Sequence, residues 1–238
     1  MKKYLLLILL FASANLLYSQ NIDEIMTNSN KAMNKEALDK VETFVIHGSQ
    51  FVAEQGEQIP IVYKIKRPDK VRIEIEYMGN TIIQAYDGKK AWMVNPLTGS
   101  KEKRNLPDEA KEQFMQIFDF LYSPITKYGE PNYSFEYLGK ETIDDKNYIT
   151  IKMTDKDSDV STLYIDEITN WFYKLVAEVK KEDETNTIEF VFEEKTKVGG
   201  AIVPSVIELK VNGNTVMVFN FDEYEINTPL DDKIFEKP

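Results

Sequence analysis

Over most of its length the chain alternates apolar and polar positions with a period of two. Ile59, Ile61, Tyr63 and Ile65 alternate along one segment, and Val71, Ile73, Ile75 and Tyr77 along the next, with Arg72, Glu74 and Glu76 between them. Such alternation places one set of side chains on each face of a half-buried strand. Strand-like runs continue at residues 81–86, 91–95, 133–138, 148–153, 160–166, 172–179, 187–194, 205–211 and 215–224. Turn residues separate many of them: Met78-Gly79-Asn80, Asp87-Gly88, Asp144-Asp145-Lys146, Gly199-Gly200 and Asn212-Gly213-Asn214. About 11 short strands joined by hairpin turns predict a mainly β protein built as an antiparallel meander. No strand–helix alternation is present, which argues against doubly wound and (β/α)₈ folds.

Two segments carry a helical period instead. Residues 21–40 place Ile22, Ile25, Met26, Ala32, Met33 and Leu38 at helical spacing, with Asp23 and Glu24 in the first turn, where acids complement the helix dipole. Residues 106–122 interrupt the strands midway and carry Ala110, Phe114, Ile117, Phe118 and Leu121 on one stripe, with Met115 and Tyr122 beside it. Such a helix either caps the open end of a sheet or forms a lid over an apolar cavity, and the sequence leaves both readings open.

The first residues read as an export signal. Lys2 and Lys3 precede the apolar run 4–11, and Ala12, Ser13 and Ala14 supply small residues for cleavage. Residues 1–19 are assigned to the signal peptide, with cleavage after Ser19 preferred to cleavage after Ala14. Residues 20–238 form the expected single mature domain, and its expected location is the periplasm. No later run approaches the ~20 apolar residues of a membrane-spanning helix.

Composition then narrows the chemistry. The chain has 238 residues, a net charge of −11, no cysteine, one histidine and 12% aromatic residues. The aromatic content fits a folded core rather than an acidic disordered chain. The negative charge argues against nucleic acid and anionic membrane surfaces as partners. Without cysteine there is no disulfide framework, thiol nucleophile or lipid-modified N-terminal cysteine. His47 alone cannot build a two-histidine metal site or, without a converging serine or threonine and acid, a catalytic triad. Asp155, Asp157 and Asp159 begin like a calcium loop, but Val160 stands where that loop needs glycine and Asp166 where it needs glutamate. Glu74 and Glu76 alternate with Arg72 and read as a charged solvent face rather than a pair of glycosidase acids. The acidic clusters at residues 182–184 and 193–194 read as solubilising surface or edge protection. A non-enzymatic protein with neither cofactor nor metal is expected.

Five segments, in order along the mature chain, resemble the LolA-like periplasmic lipoprotein carriers, the outer-membrane lipoprotein-sorting proteins. They are the Lys66-Arg67-Pro68 turn between two strands, the hairpin Asp87-Gly88-Lys89-Lys90-Ala91-Trp92-Met93-Val94-Asn95-Pro96, Leu163-Tyr164-Ile165-Asp166 with Thr169-Asn170, the segment Gly200 to Pro204, and the closing run from Glu225 to Phe235. The resemblance implies a curved antiparallel sheet forming a half-open β-barrel, with helices covering an apolar concave face. It also implies carriage of lipoprotein acyl chains to the outer membrane by a monomer that meets an inner-membrane release complex and an outer-membrane receptor. Each buried methylene contributes ~0.8 kcal/mol, so such a cargo needs a sizeable apolar pocket.

On that reading the acyl-chain cavity is assigned to Ile61, Tyr63, Ile65, Val71, Ile73, Ile75 and Tyr77 by alternation. Trp92 is added from the hairpin motif, and Phe114, Met115, Phe118 and Leu121 from the lid. The family's turn arginine bonds to the lid and keeps the empty cavity closed; by motif position that lid latch is Arg67. Two departures bear on the analogy. The absent cysteine excludes the lipidated receptor that shares the fold, and the chain ends three residues after Phe235, so an extension that docks a release complex is not expected. The alternatives are an envelope sensor or interaction module, or a carrier of another lipid, on the same fold.

Overall fold

The computed structural model describes residues 22–99, 102–108, 110–181 and 184–237. The signal-peptide assignment, residues 1–19, and most of the acidic cluster at 182–184 lie outside the described residues. The architecture is one antiparallel sheet of thirteen strands. From β1 (Thr43–Val52) the chain meanders through β2 (Glu57–Lys66), β3 (Lys70–Tyr77), β4 (Asn80–Tyr86) and β5 (Ala91–Val94) to the edge strand β6 (Arg104–Asn105). Helix α3 (Ala110–Tyr122) and a 3₁₀ turn (Pro124–Lys127) carry it across to the opposite edge. From β7 (Ser134–Ile143) it returns through β8 (Lys146–Thr154), β9 (Val160–Asp166), β10 (Phe172–Lys181), β11 (Glu184–Val198) and β12 (Ala201–Val211) to β13 (Asn214–Ile226). Strand β13 pairs with β1 and joins the two meanders, while β6 and β7 remain unpaired with each other. The sheet is an open, curved half-barrel with helices on one face.

Local chemistry explains the meander. At the β3–β4, β7–β8, β11–β12 and β12–β13 hairpins the two turn residues all have positive φ: Met78 and Gly79, Asp144 and Asp145, Gly199 and Gly200, Asn212 and Gly213. That geometry matches the right-handed twist of the flanking strands and favours Asn, Asp and Gly. The thirteen strands compare with the about eleven expected, the two-residue β6 being too short to show a period. Gly48 sits at a register shift in β1, where an added Cβ would lie 2.0 Å from the Asn220 carbonyl oxygen of β13. Glycine is required there by the approach of the two backbones at the seam between the meanders.

The N-terminal helical segment is broken rather than continuous. Helix α1 covers 22–33 and α2 covers Lys35–Leu38, with Asn34 between them at φ 51°. The Asn34 side chain donates to the Gly200 carbonyl at 2.9 Å, fixing the break against the β11–β12 turn. Asparagine tolerates the left-handed conformation better than most residues, which makes the break inexpensive.

Two apolar clusters occupy the helix-covered face. One gathers Phe44, Ile46, Ile61, Ile65, Val71 and Tyr86 beneath Met33, Leu38, Phe114 and Leu121. The other gathers Ile149, Ile151, Leu163, Ile165, Phe172 and Phe192 beneath Ile22, Ile25, Met26 and Ile125. Phe221 touches both.

The opposite face carries charge ladders and a C-terminal strap. Residues 227–237 run back across β2 to β6. Lys66 donates to the Leu230 carbonyl at 3.0 Å and to Asp232 at 2.7 Å, Lys70 pairs with Asp232 at 3.0 Å, and Arg72 donates to the Ile234 carbonyl at 2.9 Å. Phe235 is fully buried.

Candidate functional site

The concave face is set by strand register. Ile61 lies opposite Ile75, Tyr63 opposite Ile73, and Ile65 opposite Val71, so these alternating positions share one face. Ile61, Tyr63, Ile65 and Val71 are buried in a cluster with Phe114 and Leu121 of α3, while Ile73, Ile75 and Met115 pack half-buried against it. Tyr77 is half-buried at the end of β3. The Phe118 side chain lies outside the described residues. Beneath α3 the packing leaves an apolar cavity of about 100 Å³ lined by Ile46, Tyr63, Ile117, Leu121, Ile207, Phe219 and Phe221. Burial pushes the Tyr63 phenol well above its ordinary range. In this structure α3 closes over a nearly filled core.

Trp92 does not belong to that face. Arg72 lies opposite Ala85, and Ala85 opposite Trp92, so Trp92 shares the outer face with Arg72. The concave positions of the same strands are Val71, Tyr86 and Ala91. Trp92 is buried beneath the C-terminal strap, and its Nε1 donates to the Phe235 carbonyl at 2.7 Å. Lys103 and Arg72 lie 4.4 Å and 5.9 Å from the indole ring. The run Ala91-Trp92-Met93-Val94 is apolar throughout, so alternation cannot select which of its side chains face inward.

Arg67 stands where three elements meet. Its Nη1 donates to the Asp39 carbonyl at the end of α2 at 2.9 Å, and its guanidinium lies 4.9 Å from the ring of Tyr122, the last residue of α3. The Tyr122 hydroxyl donates to the Val41 carbonyl at 3.3 Å. Burial pushes the Tyr122 phenol up to about 12, with Arg67 opposing and Asp39 reinforcing the rise. The hydrogen bond of Arg67 thus goes to α2, and its contact with α3 is through an aromatic face.

Open volume lies mainly against the second meander. A groove of about 1070 Å³ has an apolar floor of Met153, Leu175, Ala177, Ile188, Phe190 and Phe192, is bordered by Pro124, Lys127 and Tyr133 from the crossing segment, and carries Asp155, Asp159, Ser161, Thr162, Glu178 and Lys180 among its polar lining. Leu175 pairs with Leu163 and Phe190, which continues the concave face through β9, β10 and β11. These wall residues were absent from the cavity assigned by sequence, although residues 172–179 and 187–194 carry the same alternation. Beside the groove lies a polar recess of about 640 Å³ lined by Lys35, Asp39, Arg67, Lys111, Glu112, Met115, Tyr122, Lys127, Glu130, Tyr133 and Lys156 among others. Lys127 and Tyr133 border both spaces.

The groups weighed for catalysis have other work. His47 is half-exposed, with Nε2 3.6 Å from a Glu225 carboxylate oxygen. Asp155 accepts the backbone N–H groups of Asp157 and Asp159, both at 2.9 Å, and so caps its own turn. Burial alone would raise the Glu74 carboxyl, but hydrogen bonds from Lys64 and Arg72 outweigh it and hold the group below its ordinary value. Glu76 accepts from the Thr81 hydroxyl at 2.6 Å.

Open antiparallel sheet, helix-covered apolar face and edge-to-edge crossing define a LolA-like half-barrel. A LolA superfamily protein from Nitrosomonas europaea superposes with a TM-score of 0.58 at 14% identity, covering 90% of this chain and 97% of that one. A putative outer membrane lipoprotein-sorting protein domain from Vibrio parahaemolyticus gives 0.55 at 12%, covering 85% and 94%. A DUF1329 family protein from Desulfovibrio piger gives 0.59 at 13%, covering 89% and 97%. At these identities the likeness is one of fold. The chain itself belongs to the family described as "Uncharacterized protein", whose model matches residues 76–238. No curated protein matches its sequence.

Proposed function

We propose that the protein is a non-enzymatic periplasmic carrier that holds lipoprotein acyl chains against its concave face for delivery to the outer membrane. The observation that carries this reading is the groove of about 1070 Å³, with an apolar floor, left open beside the crossing segment. Its volume is just above the ~300–1,000 Å³ typical of small-molecule pockets, and its floor of Met153, Leu175, Ala177, Ile188, Phe190 and Phe192 suits a hydrocarbon ligand, with charged and hydroxyl groups around it. No described helix is long and apolar enough to cross a membrane.

On this reading the groove receives the first part of a chain. The closed region around Ile61, Tyr63, Ile65, Val71, Ile73, Ile75, Tyr77, Phe114, Met115 and Leu121 becomes the rest of the site when α3 lifts. Arg67 latches that movement by holding the end of α2 and the last ring of α3 together. A lid held by one exposed guanidinium and apolar packing opens at modest cost, as a carrier requires. Release complex and receptor at the two membranes are the partners this cycle calls for.

Organic extraction of the protein purified from its own cells tests the reading. Co-purifying acylated lipid or lipoprotein is expected. Absence of both, together with no affinity of the extracted protein for either, would refute it.

A further inference from the structure

Resting on the carrier reading, we infer that the polar recess beside the groove is a headgroup site and that the preferred cargo is an amphiphile with an anionic head. The chain as a whole carries −11, yet the recess is lined by Lys35, Arg67, Lys111, Lys127 and Lys156 against Asp39, Glu112 and Glu130. A local excess of cations on an acidic protein runs against its overall field and marks a place where an anion is tolerated.

The neutralising partners inside the recess are few. Lys35 is tied to Asp39 at 2.6 Å, and Lys127 lies 3.6 Å from Glu130. Lys156 pairs with Asp157, outside the recess lining. Lys111 makes no ion pair with a described residue. Arg67 uses one nitrogen on the Asp39 carbonyl, and a guanidinium carries further donors in a fixed fork suited to phosphate or carboxylate oxygens.

Position supplies the second argument. Lys127 and Tyr133 border both groove and recess, so an acyl chain lying along Phe190 and Phe192 is continuous with a head beside Lys127. Away from Lys127 the charged groups along the groove are Asp155, Asp159 and Glu178 against Lys180 alone, a net acidic lining that disfavours an anionic head there and directs it to the recess. The shared chemistry is a phosphate or carboxylate borne by an acylated molecule.

The test uses the full mature chain stripped of lipid. Its affinity is measured for three single-chain lipids of equal acyl length: lysophosphatidylglycerol, lysophosphatidylcholine and monoacylglycerol. Binding of the anionic lipid about tenfold tighter than the zwitterionic one is expected, the size of one hydrogen bond to a charged group. That preference should shrink as salt is raised. The double variant Lys111→Glu with Lys156→Glu should abolish the preference while monoacylglycerol binds as before, which also reports that the variant is folded. Equal affinity for all three lipids would overturn the headgroup assignment and leave the carrier reading standing. Saturable binding of inorganic phosphate alone, without discrimination among the lipids, would reassign the recess to a free anion. Failure to bind any of the lipids would overturn both readings.

Discussion

Replacing Trp92 by phenylalanine separates a strap anchor from a cavity wall. The indole Nε1 and the Phe235 carbonyl form a buried hydrogen bond of 2.7 Å between a ring 1% exposed and a residue 0% exposed. Phenylalanine removes the donor and leaves the carbonyl unpaired in a dry site, which costs about 1–3 kcal/mol. Loss of the larger ring beside Lys103 weakens a cation–π contact of about 0.5–1 kcal/mol and leaves a small void. The expected destabilisation is about 2–4 kcal/mol against a total of about 5–15 kcal/mol for a domain of ordinary stability. Urea unfolding followed by far-ultraviolet circular dichroism reads this without relying on tryptophan emission. Acyl-ligand affinity measured on the same samples should not change. Phe235→Ala, which empties the other side of the contact, should cost about 3–5 kcal/mol, and the double variant should cost less than the sum of the two. Unchanged stability combined with weakened ligand binding would refute the argument and return Trp92 to the cavity.

Three further outcomes follow from the geometry. Arg67→Leu removes the bond to the Asp39 carbonyl and the stacking on Tyr122. Exchange of α3 amides should rise by about tenfold with the central strands unaffected, and unchanged exchange would count against the latch. Gly48→Ala drives a Cβ into the β13 backbone at the seam between the meanders and should lower stability by about 1–3 kcal/mol or more. A urea midpoint equal to wild type would show that the seam relaxes freely. The third concerns acid. Hydrogen bonds from Lys66 and Lys70 hold the Asp232 carboxyl below its ordinary 3.8, and the Lys64 and Arg72 contacts overcome burial to hold Glu74 below 4.5. Carboxyls depressed in the folded state contribute stability that is complete above their ordinary values and lost as pH falls through the folded ones. Strap attachment should therefore be constant down to about pH 5 and weaken below about pH 4, and Lys66→Met should flatten that loss; the same acid response in the variant would contradict the assignment.

Most of the fold follows from patterns a reader of the sequence can count. Val71, Ile73 and Ile75 alternate with charged residues, and the register with β2 puts them on the face their polarity demands. In the four two-residue hairpin turns the positive-φ residues are Asn, Asp or Gly at every position but Met78, so the turns announce themselves in the sequence. What escaped the pattern escaped for physical reasons. The four residues Ala91–Val94 are all apolar, so the face taken by Trp92 is decided by the strap, a contact between residues 143 positions apart in the chain. The break at Asn34 depends on the distant Gly200 carbonyl. A two-residue strand such as β6 is too short to show a period. Arg67 was located by motif, yet its carbonyl partner on α2 rather than α3 is a tertiary fact. Leu175, Phe190 and Phe192 were legible as alternating residues, but only the course of the crossing segment reveals that the wall they build is left open.

The carrier cycle requires that hydrocarbon enter the concave face. Cross-linking with a fatty-acyl probe carrying a photoreactive group near its terminal methyl, mapped by mass spectrometry on the protein purified from its own cells, tests it most directly. Labels on Met153, Leu175, Phe190 and Phe192, extending to Phe114 and Leu121 as α3 lifts, are the predicted result. Labels confined to the outer face around Lys64, Arg72 and Glu74, or no saturable labelling at all, would contradict it.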